Sequence, residues 1–380
     1  MRKVLFGLIL TGASAAWAGS PYLSRVLDFC PAPGQFVNEL PEYEEGDTHE
    51  SMLAKVAENL CGEERPGMIS LGGFGGYVIV AFDHPVVNVP GEYDFKLFGN
   101  AFAAESAAMG GSCEPGAVMV SVDANGNGLP DDEWWELAGC EYAKETTKHG
   151  FEISYFKPAD DHTASPDPSN SAITDRYFVR WTTNYPDEAE GYIQKVTFHK
   201  QPYFPPWIAD TELRFSGSRI ANNATLQGGT YLLAFMDYGY VDNQPNNTDP
   251  GFKIDWAVDV EGNPVTLTHI DFIKVYTAVN QQCGWIGETS TELCGGLDLH
   301  PEAAVEAATI SAKPLVAVCR GNCLEVTATA PTQLSIVALD GSTVGRYSLH
   351  EGRNAIDVAP LPGGLYIAST PLGAVKWLKQ

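Results

Sequence analysis

Alternation of apolar and polar residues with a period of two dominates the chain and predicts many short β-strands. The stretches with this pattern recur at short intervals: 93–98, 117–122, 151–156, 177–181, 193–198, 212–215, 231–236, 254–258 and 271–277. A helical period appears from Asp47, where Met52, Val56 and Leu60 share one face and Asp47 or Thr48 serves as the N-cap. The pattern therefore predicts a β-protein with one short helix near its start.

A glycine cluster, Gly72 to Gly76, interrupts two strand-like runs in GMISLGGFGGYVIVAF. A phosphate-binding loop would need a helix after it, whereas Tyr77 to Phe82 is strand-like. We interpret the cluster as a bend or bulge between strands.

Many strands with long polar loops predict an all-β fold, a jelly-roll-like β-sandwich over residues 19–305. Composition shifts towards Ala, Glu and Ser in HPEAAVEAATISAK, which indicates a linker at 306–313. Residues 314–380 have their own short strands and a predicted hairpin at Asp340-Gly341, which suits a small C-terminal β-sandwich.

The first 18 residues, MRKVLFGLILTGASAAWA, combine two early cations, a short apolar stretch and small residues, as a cleaved signal peptide does. No later stretch approaches the roughly 20 apolar residues of a membrane-spanning helix. We expect a secreted or cell-surface chain with no transmembrane segment.

Eight cysteines in an exported chain favour disulfides over free thiols, and no His lies at zinc-ligand spacing beside them. We predict sequential pairing, because each bridge then closes a local loop; a few free buried thiols are the alternative. The predicted pairs are Cys30 with Cys61, Cys113 with Cys140, Cys283 with Cys294 and Cys319 with Cys323.

The net charge of −25, from 23 basic and 48 acidic residues, argues against a nucleic-acid partner. Part of the acidic excess is concentrated in DANGNGLPDDEW, where oxygen side chains alternate and a glycine follows, as in a calcium loop. The usual acid at position twelve is replaced by Trp134, so an aspartate must close a shortened loop; an unmetallated Asx-rich turn is the alternative. The predicted Ca²⁺ site comprises Asp123, Asn125, Asn127, Leu129, Asp131 and Asp132.

A second polar loop, DYGYVDNQPNNTDP, contains Asp242 and Asn243 and matches no metal template. It is either a solvated loop whose side chains satisfy their own backbone or a second cation or ligand site.

Most aromatic residues are expected in the core, but those in QPYFPPW are interrupted by prolines, which favours an irregular, exposed loop. Exposed rings on a rigid loop hold flat ligands such as sugars or macrocycles. The predicted ligand-binding residues are Trp134, Tyr203, Phe204, Trp207, Asp242, Asn243 and Trp285. The eight histidines fall in no catalytic signature, so no catalytic residue is predicted.

The chain resembles a family of Bacteroidetes cell-surface proteins, often found with PKD-type modules, at GGFGGY, GNAF, DANGNGLPDDEWWELAG, YGYVDN and DWAVD. The resemblance implies a β-sandwich protein, and some members are linked to outer-membrane uptake of vitamin B12. The tail, with LPGGLYIAS and AVKWLKQ, resembles a type IX secretion sorting domain, although the Cys319 and Cys323 pair is not typical of one.

These observations favour a calcium-stabilised, non-enzymatic protein that binds a small-molecule or glycan ligand, with a corrinoid (cobalamin) as one candidate, in an outer-membrane uptake complex. An extracellular glycan-acting hydrolase and an adhesion or structural surface module are the alternatives.

Overall fold

The computed structural model describes residues 19–104, 110–303, 316–320, 322–328, 331–338, 342–370 and 373–379. The predicted signal peptide, the linker at 306–313 and the turn residues Asp340 and Gly341 lie outside them. The chain divides near residue 304 into two compact units.

The described part of the larger unit is built from antiparallel strands, the α-helix α1 (His49–Leu60), a short helical stretch at 301–303, and 3-10 turns at Pro186–Glu188, Ile254–Trp256 and Gly284–Ile286. Its strands are β1 (Arg25–Cys30), β2 (Ile69–Ser70), β3 (Tyr77–Ala81), β4 (Val86–Val87), β5 (Phe95–Phe98), β6 (Phe102–Ala103), β7 (Gly110–Ser112), β8 (Gly116–Ser121), β9 (Trp134–Leu137), β10 (Lys148–Phe156), β11 (Ile173–Thr183), β12 (Glu190–Val196), β13 (Glu212–Arg219), β14 (Ala224–Gln227), β15 (Thr230–Ala234), β16 (Ala257–Val258), β17 (His269–Ile270), β18 (Phe272–Thr277), β19 (Glu292–Leu293) and β20 (Gly295–Asp298).

Two antiparallel sheets form the centre of this unit. A six-stranded sheet has the order β1-β3-β18-β8-β9-β16, and a four-stranded sheet has the order β12-β11-β10-β13. A second four-stranded sheet, β14-β15-β7-β6, and the two-stranded pairs β17-β4, β19-β2 and β20-β5 lie around them. The predicted all-β, sandwich-type fold is confirmed.

The period-two pattern sends alternate side chains of the six-stranded sheet into two cores. Val118 and Val120 of β8 join one cluster with α1 residues Val56 and Leu60. Ala117 and its neighbours on the opposite face pack with Phe151, Ile153 and Tyr155 of β10. The six-stranded sheet is therefore covered by helix α1 on one face and by the four-stranded sheet on the other.

Helix α1 begins as its sequence predicts. Thr48 is the N-cap, and its hydroxyl accepts a hydrogen bond from Ser51 N while Ser51 Oγ accepts one from Thr48 N. Met52, Val56 and Leu60 are its buried residues, which confirms the predicted apolar face.

The glycine cluster is the predicted bend between β2 and β3. Gly72 and Gly75 have φ of 70° and 84°, and a Cβ on Gly72 would lie 1.9 Å from the Ala32 carbonyl oxygen. Only glycine fits such a left-handed, close-packed position. The predicted strand at 254–258 is partly wrong, because Ile254–Trp256 is a 3-10 turn and only Ala257–Val258 is a strand.

The smaller unit consists of β21 (Val316–Arg320), β22 (Cys323–Ala328), β23 (Thr332–Ala338), β24 (Thr343–Leu349), β25 (Gly352–Asp357), β26 (Gly364–Thr370) and β27 (Gly373–Lys379). They form a three-stranded sheet, β21-β22-β25, and a four-stranded sheet, β24-β23-β26-β27. Strands β23 and β24 pair antiparallel on either side of Asp340-Gly341, as expected for the predicted hairpin. This unit has its own core, with Leu324, Leu334 and Ile336 fully buried.

Among the residues that the structure describes, no helix has the length and apolar character needed to cross a membrane.

Candidate functional site

Three carboxylates from distant parts of the sequence converge at one end of the six-stranded sheet. Glu114 lies between β7 and β8, Asp242 lies in the YGYVDN loop, and Glu292 lies in β19. One carboxylate oxygen from each residue lies within 4.8 Å of the other two. We call these three residues the acidic cluster.

Backbone hydrogen bonds fix the segments that carry the cluster. Glu114 N donates to Asp242 O at 2.9 Å, and Gly116 and Val241 exchange two backbone bonds of 2.9 Å. The Thr291 hydroxyl donates to Glu114 O at 2.8 Å. The three segments are therefore tied together by main-chain contacts and not by their side chains alone.

Asp242 is the centre of this arrangement. Its Oδ1 accepts hydrogen bonds from the backbone N–H groups of Asn100 (2.7 Å) and Ala101 (2.8 Å), and its Oδ2 accepts one from Glu292 N (3.0 Å). Its φ of 54° is left-handed, a conformation that aspartate tolerates better than most residues. The strained backbone aims a carboxylate inward, which is typical of functional positions.

The cluster is strongly disfavoured in its fully charged state. Burial, followed by repulsion from Glu292, Asp242 and Glu288, raises the pKa of Glu114 well above its usual value. Burial and the Asp242 charge do the same to the pKa of Glu292. Burial raises the pKa of Asp242 to about 7, although its three backbone donors oppose the shift.

A pocket of about 420 Å³ opens above the cluster and has Glu114 and Glu292 in its lining. Its apolar lining includes Phe36, Phe198 and Trp285. The Phe198 side chain is 62% exposed, and its ring centroid lies 6.2 Å from that of Trp285. The pocket thus combines an acidic floor with an exposed aromatic rim, and we call it the rim pocket.

Trp285 is presented by a tight loop. The 3-10 turn Gly284–Ile286 is closed by a 2.7 Å hydrogen bond from Cys283 N to Gly287 O. Gly284 has φ of 52°, and a Cβ there would lie 2.7 Å from the Tyr231 hydroxyl. The closed loop fixes the backbone that carries the indole.

A larger groove of about 990 Å³ includes Arg65, Lys96 and Phe98 in its lining. Lys96 is already engaged, because its Nζ donates to the carbonyl oxygens of Asn246 (2.6 Å) and Asp249 (2.5 Å), and the Arg65 guanidinium lies over the Phe98 ring at 5.8 Å. Groups that satisfy the fold itself are poor candidates for ligand contacts, so the rim pocket is the better candidate site.

The structure brings two of the predicted ligand-binding residues to this region. Trp285 lines the rim pocket and Asp242 belongs to the cluster beneath it. Asn243 is buried, with Oδ1 accepting from Met236 N at 2.7 Å and Nδ2 donating to Met236 O at 2.9 Å. It closes the polar loop on itself, which is the structural alternative that the sequence left open.

The predicted exposure of the proline-rich loop is wrong for Tyr203 and Phe204. Tyr203 is 0% and Phe204 2% exposed, and the Tyr203 hydroxyl accepts a hydrogen bond from Val196 N at 3.2 Å. Trp207 is half-buried and stacks on Phe29 and Tyr43 at centroid distances of 6.3 and 5.8 Å. The prolines do make the loop irregular, but the rings turn inward because their apolar area is more stable in the core.

Trp134 is a half-buried residue of β9, paired with Ser121 of β8. It is absent from the lining of the rim pocket.

The predicted calcium loop is folded around Asp123 and Asp131. Asp123 accepts hydrogen bonds from Asn127 N and Gly128 N, both at 3.0 Å. The amide groups of Asn125 and Asn127 lie 3.0 to 3.2 Å from the Asp131 carboxylate. Four of the predicted ligands are thus gathered in one turn.

The remaining two residues of the predicted loop differ. The Leu129 side chain is 54% exposed, and one buried oxygen of Asp132, Oδ2, has no hydrogen-bond partner among the described residues. The hydrogen bonds around Asp123 and Asp131 are compatible with a calcium loop and also with an unmetallated Asx-rich turn. Calcium at this loop therefore stays a prediction.

The predicted disulfide pairing is not seen. Cys30, Cys61, Cys113, Cys140, Cys283, Cys294 and Cys323 are all free thiols, and the Cys319 side chain lies outside the described residues. Cys30 packs against the core between the two central sheets, whereas Cys61 packs against the core on the helix side. Proximity in sequence therefore does not bring these thiols together, because the six-stranded sheet separates them.

Sequence reasoning missed Glu114 and Glu292. Each is a single acid close to a cysteine: Glu114 directly follows Cys113 in SCEPGA, and Glu292 lies two positions before Cys294 in TELCGG. The signal was the presence of a charged residue within a run of small and apolar ones, since a buried acid needs a structural or functional reason.

Comparisons with known proteins show no family. No family model matches the chain, and no curated protein matches it. Among solved structures, the BSP domain of a biofilm-associated protein is 10% identical, with a TM-score of 0.17, over 87% of this chain and 55% of that one. A Faecalibacterium prausnitzii beta-glucuronidase is 12% identical, with a TM-score of 0.14, over 73% of this chain and 47% of that one. The chain spans about half the length of each, and TM-scores this low carry no argument.

Proposed function

We propose that this protein is an exported, non-enzymatic ligand-binding protein of the cell surface that captures a small ring-shaped ligand in the rim pocket. The observation that carries the proposal is the pairing of the exposed Phe198 ring and the partly buried Trp285 ring with a floor of carboxyl groups. Aromatic faces stack on flat or ring-shaped molecules, and carboxylates accept hydrogen bonds from hydroxyl or amino groups.

The pocket volume favours a sugar over a corrinoid. A cavity of about 420 Å³ suits a ligand of one or two sugar rings. A corrin macrocycle with its amide side chains is larger and would leave much of its surface outside. We therefore propose a glycan fragment as the ligand class, in keeping with a role in nutrient capture for an outer-membrane uptake system.

Export is supported by the first 18 residues and by the resemblance of the tail to a sorting domain. The acidic surface is compatible with an extracellular setting in which calcium occupies the Asp123 loop.

The test is a glycan array on the full chain, followed by calorimetric titration of the saccharides that bind. Trp285→Ala removes the rigid ring of the rim, so we expect at least tenfold weaker binding. Tyr177→Ala is the matched control, because Tyr177 is also an exposed ring (47%) packed on a second aromatic, Tyr192, outside the rim pocket. Equal affinity of the Trp285 variant and wild type, or no saccharide binding at all, would contradict the proposal.

The hydrolase alternative is distinguished by its product. The carboxylate oxygens of the cluster approach within 4.8 Å, which is shorter than the roughly 6.5 Å or more of an inverting glycosidase but near the roughly 5 Å of a retaining one, so the product decides between the two functions. New reducing ends released from a bound saccharide by wild type, and lost in Glu292→Gln, would favour the hydrolase over the binding protein.

A further inference from the structure

Among the described residues no cationic side chain pairs with the acidic cluster, so its charge must be neutralised by protons or by a counter-ion. The ion pairs formed by the described residues include none with Glu114, Asp242 or Glu292. A fourth acid, Glu288, is 4% exposed and close enough to repel the charges of Glu114 and Glu292. Buried charges of one sign are costly unless a counter-ion or protons neutralise them.

A buried side chain with an unpartnered polar atom, Gln35, lies beside the cluster. Gln35 is 4% exposed and lines the rim pocket together with Glu114 and Glu292. Its Nε2 donates to Glu288 O at 3.2 Å, which fixes the amide, because the flipped orientation would oppose two oxygens. Gln35 Oε1 is then left without a partner among the described residues. Buried acceptors without donors indicate a missing cationic or hydrogen-bonding group.

We propose that Glu114, Asp242 and Glu292 form a divalent-cation site at the floor of the rim pocket, with calcium as the ion. The donor atoms are all oxygens, which a hard cation prefers to the nitrogen and sulfur ligands typical of zinc. Asp242 Oδ2 accepts a single backbone N–H, so it has a lone pair left for a metal.

Calcium fits this site better than magnesium. Calcium accepts about six to eight oxygens in irregular geometry, whereas magnesium requires a near-ideal octahedron and releases its waters reluctantly. Three carboxylates held by separate segments, with an open pocket above them, leave room for waters to complete an irregular shell. The site does not depend on the ligand proposed above, because its donors belong to the protein.

The experiment uses the full chain treated with a chelator, then titrated with calcium or magnesium by calorimetry and followed by thermal unfolding. The parent protein for this experiment carries Asp123→Asn and Asp131→Asn, which remove two predicted calcium ligands of the Asp123 loop, and we call it the loop-silenced chain. Any calcium that it still binds must lie outside that loop. We expect one calcium site to remain and magnesium to bind at least tenfold more weakly. Adding Glu292→Gln should weaken the remaining calcium binding at least tenfold.

Thermal unfolding separates a ligand role from a structural one. Without metal, Glu292→Gln relieves repulsion, so its Tm should exceed that of the loop-silenced parent; with saturating calcium the order should reverse. The substitution is isosteric, and the hydrogen bond that Ser290 Oγ donates to Glu292 Oε1 (3.2 Å) can be kept by the amide oxygen. Glu152→Gln removes one exposed charge and is the matched control, with no expected change in calcium affinity.

Glu114→Gln, at a half-buried position, repeats the test if the Glu292 variant does not fold. The proposal is overturned if the loop-silenced chain binds no calcium, or if both glutamine variants bind calcium as tightly as their parent. Terbium emission excited through Trp285, which shares the pocket with Glu292, gives an independent readout that Glu292→Gln should abolish.

Discussion

Single buried acids explain much of the polar chemistry of this protein. Glu136 of β9 lies away from the rim pocket, and its Oε2 accepts a 2.7 Å hydrogen bond from Ser218 Oγ. Burial raises the pKa of Glu136 to about 7, and the hydrogen bonds from Ser218 and Tyr276 oppose the shift without cancelling it. The titratable groups that face it are the hydroxyls of Tyr142, Tyr240 and Tyr276, which stay protonated at neutral pH.

Glu136→Gln should therefore change how stability depends on pH. The folded state holds the Glu136 proton to about pH 7 and the unfolded state only to about 4.5, so wild type loses stability as pH rises through this window. The variant does not ionise, so its free energy of unfolding relative to wild type should rise by up to about 3 kcal/mol between pH 4.5 and 8. Urea unfolding at several pH values measures this difference. The curve of unfolding free energy against pH for the exposed-site variant Glu152→Gln should run parallel to that of wild type. An equally parallel curve for Glu136→Gln would mean that the Glu136 carboxyl does not cause the loss of stability between pH 4.5 and 8.

At the scale of elements, local signals in the sequence predicted local structure well. The Thr48 cap, the buried face of α1 and the Gly72 to Gly76 bend depend on contacts between near neighbours, so residue type and spacing suffice to find them. The predicted exposure of the Tyr203 and Phe204 rings is wrong, because their burial depends on tertiary packing of the loop against the sheets and not on neighbouring residues in the sequence.

The α1 cap provides a test at this scale. Thr48→Ala removes the acceptor for Ser51 N and should lower the free energy of unfolding by about 1 kcal/mol. Thr48→Ser keeps the hydroxyl and should remain close to wild type in denaturant titration. A loss of the same size in both variants would mean that the methyl group, and not the cap, stabilises this end of the helix.

For the molecule as a whole, the strand pattern predicted the fold class but not the site. The acidic cluster depends on β8, the YGYVDN loop and β19 meeting, and no spacing in the sequence encodes that meeting. Of its members, only Asp242 was predicted as a ligand-binding residue, because it lies in a polar loop. Glu114 and Glu292 are isolated acids in the sequence. Three of the predicted disulfides, Cys30 with Cys61, Cys113 with Cys140 and Cys283 with Cys294, are not seen in the structure, since pairing in space is set by the sheets, and the Cys319 with Cys323 pair stays a prediction.

The division into two units predicts separable stability. Ile336 is fully buried in the core of the smaller unit, so Ile336→Ala should destabilise that unit by about 2 to 5 kcal/mol. Calorimetry of the full chain should show the transition of the smaller unit at lower temperature and that of the larger unit unchanged. The reciprocal variant, Ile153→Ala in the core between the central sheets, should do the opposite. A joint downward shift of both transitions in either variant would contradict separable unfolding.

The hydrogen bond from the Thr291 hydroxyl to Glu114 O spans 177 positions of the sequence. A growing or unfolded polypeptide cannot assemble the three acids early, because β19 is among the final strands of its unit to emerge. Metal capture would then come last in maturation, and any internal nick that freed β19 would release the ion. Occupancy of the cluster would thus report, in a single measurement, that the larger unit has matured intact.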